Sequence, residues 1–256
     1  MATPTAQRQL LRKVPEITLF FWLIKLFTTA MGESISDYLV GRFNPYVVVL
    51  AGFVAFTLAM VWQFKMRRYV PAVYWTAVAM VAVFGTMAAD VTHVALGVPY
   101  VVSTVGFVAA LAVIFGAWWR SERTLSIHSI DTRRRELFYW ATVLATFALG
   151  TAAGDLLAYT AGLGFFSAGL LFAAVFAVPA IAYRWFGLNE VVAFWAAYIV
   201  TRPLGASFAD WMGKPTSAGG LGWGDGPVSA VLALAIVVLV GYVTVRRVDV
   251  PQSARH

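Results

Sequence analysis

Long apolar segments alternate with short polar connections along most of the chain. Uncharged runs occupy residues 43–64, 69–89, 94–119, 156–183 and 226–245. Each run matches or exceeds the roughly 20 residues with which an α-helix spans the hydrocarbon core of a bilayer. The pattern therefore predicts an all-α, polytopic membrane protein. We expect eight transmembrane helices, at approximately residues 16–40, 44–64, 70–97, 100–119, 136–161, 164–186, 189–212 and 226–245.

The odd-numbered spans share an internal pattern that indicates a repeated unit. The aromatic pair at residues 21–22 precedes Thr28 by the same distance as the pair at residues 194–195 precedes Thr201. Each odd span then leads through a turn into an even span, so the unit is predicted to be a helical hairpin. Parallel repeats of this kind are a known construction of membrane transporters. We predict a single transmembrane domain, residues 1–256, of four pseudo-symmetric hairpins at approximately residues 14–64, 70–119, 136–186 and 189–246.

Carboxylates interrupt the apolar character of the odd spans, always close to small residues. Side chains of this kind are costly inside hydrocarbon, so they normally face a protein interior or a wet cavity and mark the path of an ion or proton. Five of the twelve acidic residues lie in these short stretches. They are Glu33, Asp37, Asp90, Asp155 and Asp210.

A threonine stands four residues before three of these acids, which stacks hydroxyl and carboxylate on one helix face. The threonines are Thr29, Thr86 and Thr151. Hard cations take oxygen ligands of both types, so the pattern predicts a cation site where the odd spans converge. His93 follows Asp90 by three residues and is a candidate nitrogen ligand for a transition metal. The alternative is that His93 is only a polar residue at the membrane interface.

Two basic residues lie within the same spans. Lys25 and Arg202 are expected to neutralise two of the carboxylates or to gate the path between them. The alternative for Arg202 is that its long side chain extends outward to the membrane surface. Pro203 follows Arg202 directly, and since proline cannot donate a backbone hydrogen bond, we expect a kink or break there.

Composition and charge placement restrict the class of protein. The chain is 61% hydrophobic and 12% charged, whereas a soluble domain is about a quarter charged. Fifteen Lys and Arg residues flank one set of ends of the predicted spans, against two in the opposite loops, so we expect both termini in the cytoplasm. The net charge of +7 is spread over these short connections, which argues against nucleic-acid binding. Without cysteine, the chain has no disulfide and no thiolate ligand.

The one long outer loop, residues 213–226, is rich in glycine. It is expected to act either as a lid over the outer mouth or as a flexible connector. HExxH and GxSxG motifs are absent, and the three histidines are dispersed, so no sequence motif indicates an enzyme.

The segment from Thr201 to Pro215 reads Thr-Arg-Pro-Leu-Gly-Ala-Ser-Phe-Ala-Asp-Trp-Met-Gly-Lys-Pro and runs into this loop. With residues 29–37 and 150–155, it resembles a family of uncharacterised bacterial integral membrane proteins. The resemblance extends over nearly the whole chain and implies a location in the bacterial inner membrane. It implies no activity and no substrate.

We therefore expect transport of a cation, with a divalent metal ion exchanged for protons as the leading hypothesis. Glu33, Asp90 and Asp155 are the predicted core ligands, and Asp37 and Asp210 are predicted to line the outer path. Two alternatives are left open. One is a passive cation channel, and the other is an assembly or sensor protein whose acids only bond helix to helix. The expected partners are the lipid bilayer and a metal ion or proton. The sequence identifies no cofactor, and a transported divalent metal ion is the candidate bound group.

Overall fold

The computed structural model describes residues 12–250, apart from the side chains of residues 94 and 95, so Arg8, Arg255 and His256 lie outside it. Within that range, all regular structure is helical and no strand is present. The eight α-helices are α1 (Leu19–Arg42), α2 (Pro45–Lys65), α3 (Pro71–Asp90), α4 (Tyr100–Glu122), α5 (Arg133–Asp155), α6 (Gly164–Phe186), α7 (Glu190–Gly213) and α8 (Asp225–Arg246).

Seven of these helices, α2 to α8, are long and apolar enough to cross a membrane. The exception is α1, which carries Lys25, Glu33 and Asp37 along its length. The prediction of eight spans is therefore confirmed for seven by length and composition. The helices also begin where local chemistry favours a start, since a capping side chain satisfies backbone N–H groups that have no intrahelical partner. The capping residues of α1, α2, α5 and α7 are Thr18, Asn44, Thr132 and Asn189.

The odd-numbered helices form a closed ring in the middle of the protein. Contacts run from α1 to α3, from α3 to α5, from α5 to α7 and from α7 back to α1. Phe21, at the start of α1, contacts Trp75 and Phe194 at the starts of α3 and α7, so these helices run in the same direction. We call the end where the ring helices begin the lower end, and the end where they finish the upper end.

The even-numbered helices lie outside the ring. Each packs mainly against the ring helix that follows it, α2 on α3, α4 on α5 and α6 on α7, while α8 packs on α1. The predicted hairpins are therefore not the packing units of the fold, because the inner face of each even helix is covered by the next repeat. The result interlocks all four repeats around the ring.

Glycines allow the ring helices to approach closely. At each of the four junctions, a Cβ atom on a glycine would overlap the neighbouring helix, and small residues of this kind bring membrane helices into backbone contact. The contacts are Gly32 against Ala82, Gly85 against Phe147, Gly150 against Arg202, and Gly205 against Thr29.

The helical geometry changes directly after two of the predicted site residues. π-helical turns cover Val91–Ala95 after Asp90 and Leu156–Thr160 after Asp155, and such turns are frequent at functional sites. By contrast, α7 runs from Glu190 to Gly213 without interruption, so the break expected at Pro203 is absent. The ring of Pro203 packs against Gly150, where no side chain opposes it.

Candidate functional site

One guanidinium connects all four ring helices. Arg202 on α7 is fully buried, and its Nη2 atom donates to the carboxylate of Glu33 on α1. The same atom lies 2.5 Å from Oγ1 of Thr86 on α3 and 2.8 Å from Oγ1 of Thr151 on α5. Its Nη1 atom lies 3.5 Å from the carbonyl oxygen of Thr29. We call these five residues the Arg202 junction.

The three threonines predicted as cation ligands belong to this junction. The hydroxyls of Thr86 and Thr151 donate to backbone carbonyls of their own helices and accept from Arg202. The hydroxyl of Thr29 lies 2.7 Å from the carbonyl oxygen of Leu26 and 3.1 Å from that of Thr201. In this arrangement, the hydroxyls of Thr86 and Thr151 hold the guanidinium, and the hydroxyl of Thr29 joins α1 to α7.

Carboxylates converge at the upper end. Glu33, Asp37 and Asp210 each offer an oxygen atom within 4.8 Å of the others, and we call these three residues the upper acidic cluster. Glu33 and Asp210 are buried, and Asp37 is partly buried. Three carboxylates at this separation are a donor set that suits a hard cation. Glu33 belongs to both the upper acidic cluster and the Arg202 junction.

Asp90 and Asp155 stand at the upper ends of α3 and α5. Both side chains are half-buried, and in residues 12–250 neither forms a hydrogen bond or an ion pair. Each is close enough to Glu33 for electrostatic repulsion between the carboxylates. The predicted core set of Glu33, Asp90 and Asp155 is thus divided, because Glu33 is paired with Arg202 and the two aspartates form no ion pair within the described structure.

Lys214 supplies a positive charge that sequence reasoning missed. It directly follows α7, and its Nζ atom donates to Asp37 and lies 3.8 Å from carboxylate oxygens of Asp210 and Asp225. Burial acts against the charged form of Lys214, but Asp37, Asp210 and Asp225 outweigh it and raise the pKa of the ammonium above its ordinary value. Lys214 therefore remains charged. The sequence did offer one signal for this role. Lys214 is the single basic residue of the loop at residues 213–226, whose other charged residue is Asp225.

Backbone hydrogen bonds fix the loop that carries Lys214. The N–H of Leu221 donates to the carbonyl of Trp211 at 2.7 Å, and the N–H of Trp223 donates to that of Met212 at 3.1 Å. A Cβ atom at Gly220 would overlap the carbonyl of Lys214, so the chain passes there only because glycine has no side chain. The loop is consequently folded back against the end of α7, where it positions Lys214 and Asp225.

His93 lies apart from the upper acidic cluster. Its Nδ1 atom is 3.1 Å from the carbonyl oxygen of Val98, and its Nε2 atom is 3.4 Å from the hydroxyl of Ser103. The imidazole also packs against Tyr100, with ring centroids 4.1 Å apart. Both ring nitrogens are thus used in the turn between α3 and α4, and the structure does not bring His93 together with the three clustered carboxylates.

Lys25 lies one helical turn below the Arg202 junction. The side chain is 1% exposed, and its Nζ atom is 4.0 Å from the ring centroid of Phe147 and 4.4 Å from that of Tyr198. The cation therefore rests against two aromatic faces, a recognised stabilising arrangement. Unlike Arg202, Lys25 forms no ion pair with any of the predicted acids in the described part of the chain.

Comparison with protein families matches four segments of the chain to one family model, that of a repeat of unknown function, DUF347. The matched residues are 20–69, 73–124, 138–188 and 193–249. The chain belongs to this family. DUF347 membership confirms that the chain has internal repeats and agrees with the resemblance to an uncharacterised family. No curated protein and no solved structure matches the chain.

Proposed function

We propose that this DUF347 protein transports cations across a membrane and that the upper acidic cluster binds them, a divalent metal ion being the leading substrate. The observation that carries the proposal is an imbalance of charge. The four ring helices place five carboxylates at and above the Arg202 junction, and in the described chain Arg202 and Lys214 are the cations that form ion pairs with them. Carboxylates in a low-dielectric interior either take up protons or hold a cation. The carboxylates are Glu33, Asp37, Asp90, Asp155 and Asp210.

Glu33 links the binding of a cation to the movement of Arg202. Its carboxylate contacts Arg202 and also belongs to the upper acidic cluster, so a cation that binds there competes directly with the guanidinium. Arginine does not lose its proton in proteins, and its buried side chain blocks the middle of the ring. A cation can pass only when Arg202 moves, which favours a gated transporter over an open channel.

Exchange for protons follows from the ligand chemistry. Carboxylates must be deprotonated before they bind a metal ion, so metal binding and proton release are coupled without further machinery. Asp90 and Asp155, which form no ion pair in residues 12–250, are the carboxylates best placed to carry the protons. Glu33, Asp37 and Asp210 are the proposed metal ligands.

The charge distribution along the chain supplies the proposed orientation. The basic connections lie at the lower end, and by the positive-inside rule they support a cytoplasmic location for that end and for both termini. The proposed location is a bacterial inner membrane. The upper acidic cluster then opens to the outside and receives cations from there.

Flux measurements test this proposal. The purified protein is reconstituted into liposomes, and uptake is recorded for a panel of divalent metals together with internal pH. We expect saturable uptake of at least one metal, accompanied by proton movement in the opposite direction. Metal flux without saturation and without a pH change supports a passive channel. Absence of flux for every metal contradicts transport and favours an assembly or sensor protein.

A further inference from the structure

An apolar cavity lies at the lower end of the protein, between α1, α6, α7 and the connection from α4 to α5. Its volume is about 550 Å³. On α7 the wall of the cavity extends from Glu190 to Ala197, and on α6 it extends from Tyr183 to Phe176. At a rise of about 1.5 Å per residue, each of these stretches covers about 10 Å of helix. The cavity therefore begins near the lower helix ends and reaches the depth that lipid tails occupy.

Small side chains create this cavity. Four alanines line it, at positions where a larger apolar residue would fill the space: Ala177 and Ala180 on α6, and Ala193 and Ala197 on α7. Part of the remaining wall is aromatic, since the ring centroid of Trp22 lies 5.5 Å from that of Phe176 and 5.8 Å from that of Phe194. Protein interiors contain few large voids, and an apolar void of about 150 Å³ already binds a small apolar molecule. A space of this size and composition therefore suits an apolar ligand.

The cavity is accessible from the side of the molecule that lipid covers. Of the residues that line it, Leu19 is 70% exposed and Tyr183 is 51% exposed. Ala177 and Ala180 are exposed as well, and they lie on α6, which is long and apolar enough to cross a membrane. The acyl chain of a neighbouring lipid can therefore enter from this side without passing through water.

Charged side chains meet at the lower mouth of the cavity, around His128 and Glu190. Arg12 is paired with Glu16 at 2.5 Å, and its Nη1 atom lies 3.3 Å from Nδ1 of His128. A guanidinium only donates hydrogen bonds, so Nδ1 accepts and the imidazole is uncharged, with its proton on Nε2. This Nε2 atom lies 3.4 Å from Oε1 of Glu190. In the described part of the chain, Glu190 forms no ion pair with a lysine or an arginine.

The mouth therefore presents one uncompensated negative charge beside an apolar space. The Glu190 side chain is 66% exposed, so its carboxylate is available to a ligand. An occupant that matches both features has an apolar chain and, near the membrane surface, a cationic group that donates hydrogen bonds. A phospholipid with a primary ammonium headgroup has both. A phospholipid with an anionic headgroup lacks the cation and is repelled by Glu190.

We propose that this cavity binds a phospholipid with a primary ammonium headgroup, drawn from the leaflet at the lower end. One acyl chain fills the space between α6 and α7, and the ammonium group pairs with Glu190. The bound lipid thereby joins the outer helix α6 to the ring helices α1 and α7. This proposal goes beyond cation transport and does not depend on it, because the cavity lies at the opposite end of the ring from the upper acidic cluster.

Native mass spectrometry of the detergent-solubilised protein tests the proposal. The protein is incubated with equal amounts of phosphatidylethanolamine, phosphatidylcholine and phosphatidylglycerol, and the retained lipid is identified by its mass. We expect one phosphatidylethanolamine per protein, retained about two- to fivefold over phosphatidylglycerol, which is the ratio that one exposed ion pair supports. Ala180→Phe fills the cavity and should abolish this retention. Ala117→Phe, at an exposed position of similar depth on α4, is the matched control and should bind as the wild type does.

Glu190→Gln separates the headgroup from the acyl chain. This variant keeps the cavity, so it should still retain lipid, but without preference for phosphatidylethanolamine. Equal retention of the three lipids by the wild type would overturn the role of Glu190. Equal lipid retention by Ala180→Phe and Ala117→Phe would show that lipid binds elsewhere. A wild-type dimer that Ala180→Phe dissociates would make a second copy of the chain the occupant, against the proposal. Should Ala180→Phe fail to fold, the headgroup preference of Glu190→Gln decides.

Discussion

Arg202 and Glu33 form an ion pair between α7 and α1 in the interior of the helix ring. The guanidinium is fully buried and the Glu33 side chain is 6% exposed, so water screens neither charge effectively. The remaining contacts of Arg202 reach α3 and α5 through Thr86 and Thr151. This pair therefore holds the ring together and also occupies one of the proposed metal ligands.

Breaking this pair from one side should destabilise the protein. Arg202→Met leaves the Glu33 carboxylate buried without its partner, at a cost of about 3–5 kcal/mol. The double variant Arg202→Met with Glu33→Gln removes both charges and should recover a large part of that loss. Unfolding in detergent, followed by tryptophan fluorescence, measures both. Arg120→Met, at an exposed position on α4, serves as the control and should change stability little.

Equal stability of the single and the double variant would contradict a direct ion pair. In that case the loss would come only from the hydroxyl contacts of the guanidinium, which both variants remove.

Gly205 should not tolerate a side chain. A Cβ atom there would overlap Oγ1 of Thr29 and lie 2.9 Å from the backbone nitrogen of Ala30. Gly205→Ala should therefore separate α1 from α7 and cost about 1–3 kcal/mol, the usual penalty of overpacking. Gly116→Ala in α4 is the matched control, because no atom lies within 4 Å of its Cβ position. It should be neutral or stabilising by up to about 1 kcal/mol, since alanine favours helix. Equal thermal stability of the two variants would refute the close contact.

The sequence predicts most of the helices but not which faces of them are buried. A helix surrounded by lipid is apolar on all sides, so its pattern does not distinguish the face toward protein from the face toward lipid. For this reason, the packing of α2 on α3 rather than on its own hairpin partner was not predictable. The continuation of α7 through Pro203 was not predictable for a related reason, because the space that Gly150 leaves for the proline ring is a property of the tertiary structure.

Among the candidate site residues, the sequence identified the carboxylates but not their partners. The free-energy cost of a charged side chain inside hydrocarbon depends only on the residue type and on its position within an apolar segment. The five acids and Arg202 can therefore be recognised from the sequence alone. The spacing of Thr86 before Asp90 shows a shared helix face, but it does not show that the hydroxyl accepts from Arg202. Lys214 was missed because its position depends on backbone hydrogen bonds within the loop, which composition does not specify.

Lys214 should compete with a metal ion for the upper acidic cluster. Its ammonium occupies the position between Asp37 and Asp210, so Lys214→Met should tighten divalent metal binding about tenfold. The magnitude follows because a unit charge about 4 Å away contributes between about 1 and 4 kcal/mol at intermediate screening. Calorimetric titration of the detergent-solubilised protein measures the change. Lys65→Met, at an exposed position on α2, should bind as the wild type does. Weaker metal binding after Lys214→Met would show that Lys214 supports the site instead.

The raised pKa of Lys214 fixes the pH dependence of its contribution to stability. Because the carboxylates favour the charged form in the folded protein, the stabilisation is fully present below the ordinary lysine value of 10.5. It is lost only as the pH rises through the higher value of the folded state. The stability difference between wild type and Lys214→Met should therefore be constant from neutral pH to about pH 10. A decline of that difference between neutral pH and pH 9, measured by denaturant unfolding, would contradict the ion pairs of Lys214.

Ser217 and Ser126 should lie on opposite sides of the membrane. Ser217 is exposed in the loop at the upper end, and Ser126 lies between α4 and α5 at the lower end. Since the chain contains no cysteine, Ser217→Cys and Ser126→Cys each introduce a single reactive thiol. A membrane-impermeant maleimide applied to intact cells should label only Ser217→Cys. Labelling of both from outside, or of Ser126→Cys alone, would overturn the proposed orientation.

Metal uptake by carboxamide variants tests the central claim most directly. Glu33→Gln, Asp37→Asn and Asp210→Asn keep the shape of the upper acidic cluster but each remove one negative charge. In proteoliposomes, each should reduce uptake of the transported metal by about fivefold or more, since one ligand charge is worth at least about 1 kcal/mol even when partly screened. Glu122→Gln, which disturbs only ion pairs of the lower end, should transport as the wild type does. Wild-type uptake in all three cluster variants, with the proteins correctly folded, would contradict a metal site in the upper acidic cluster.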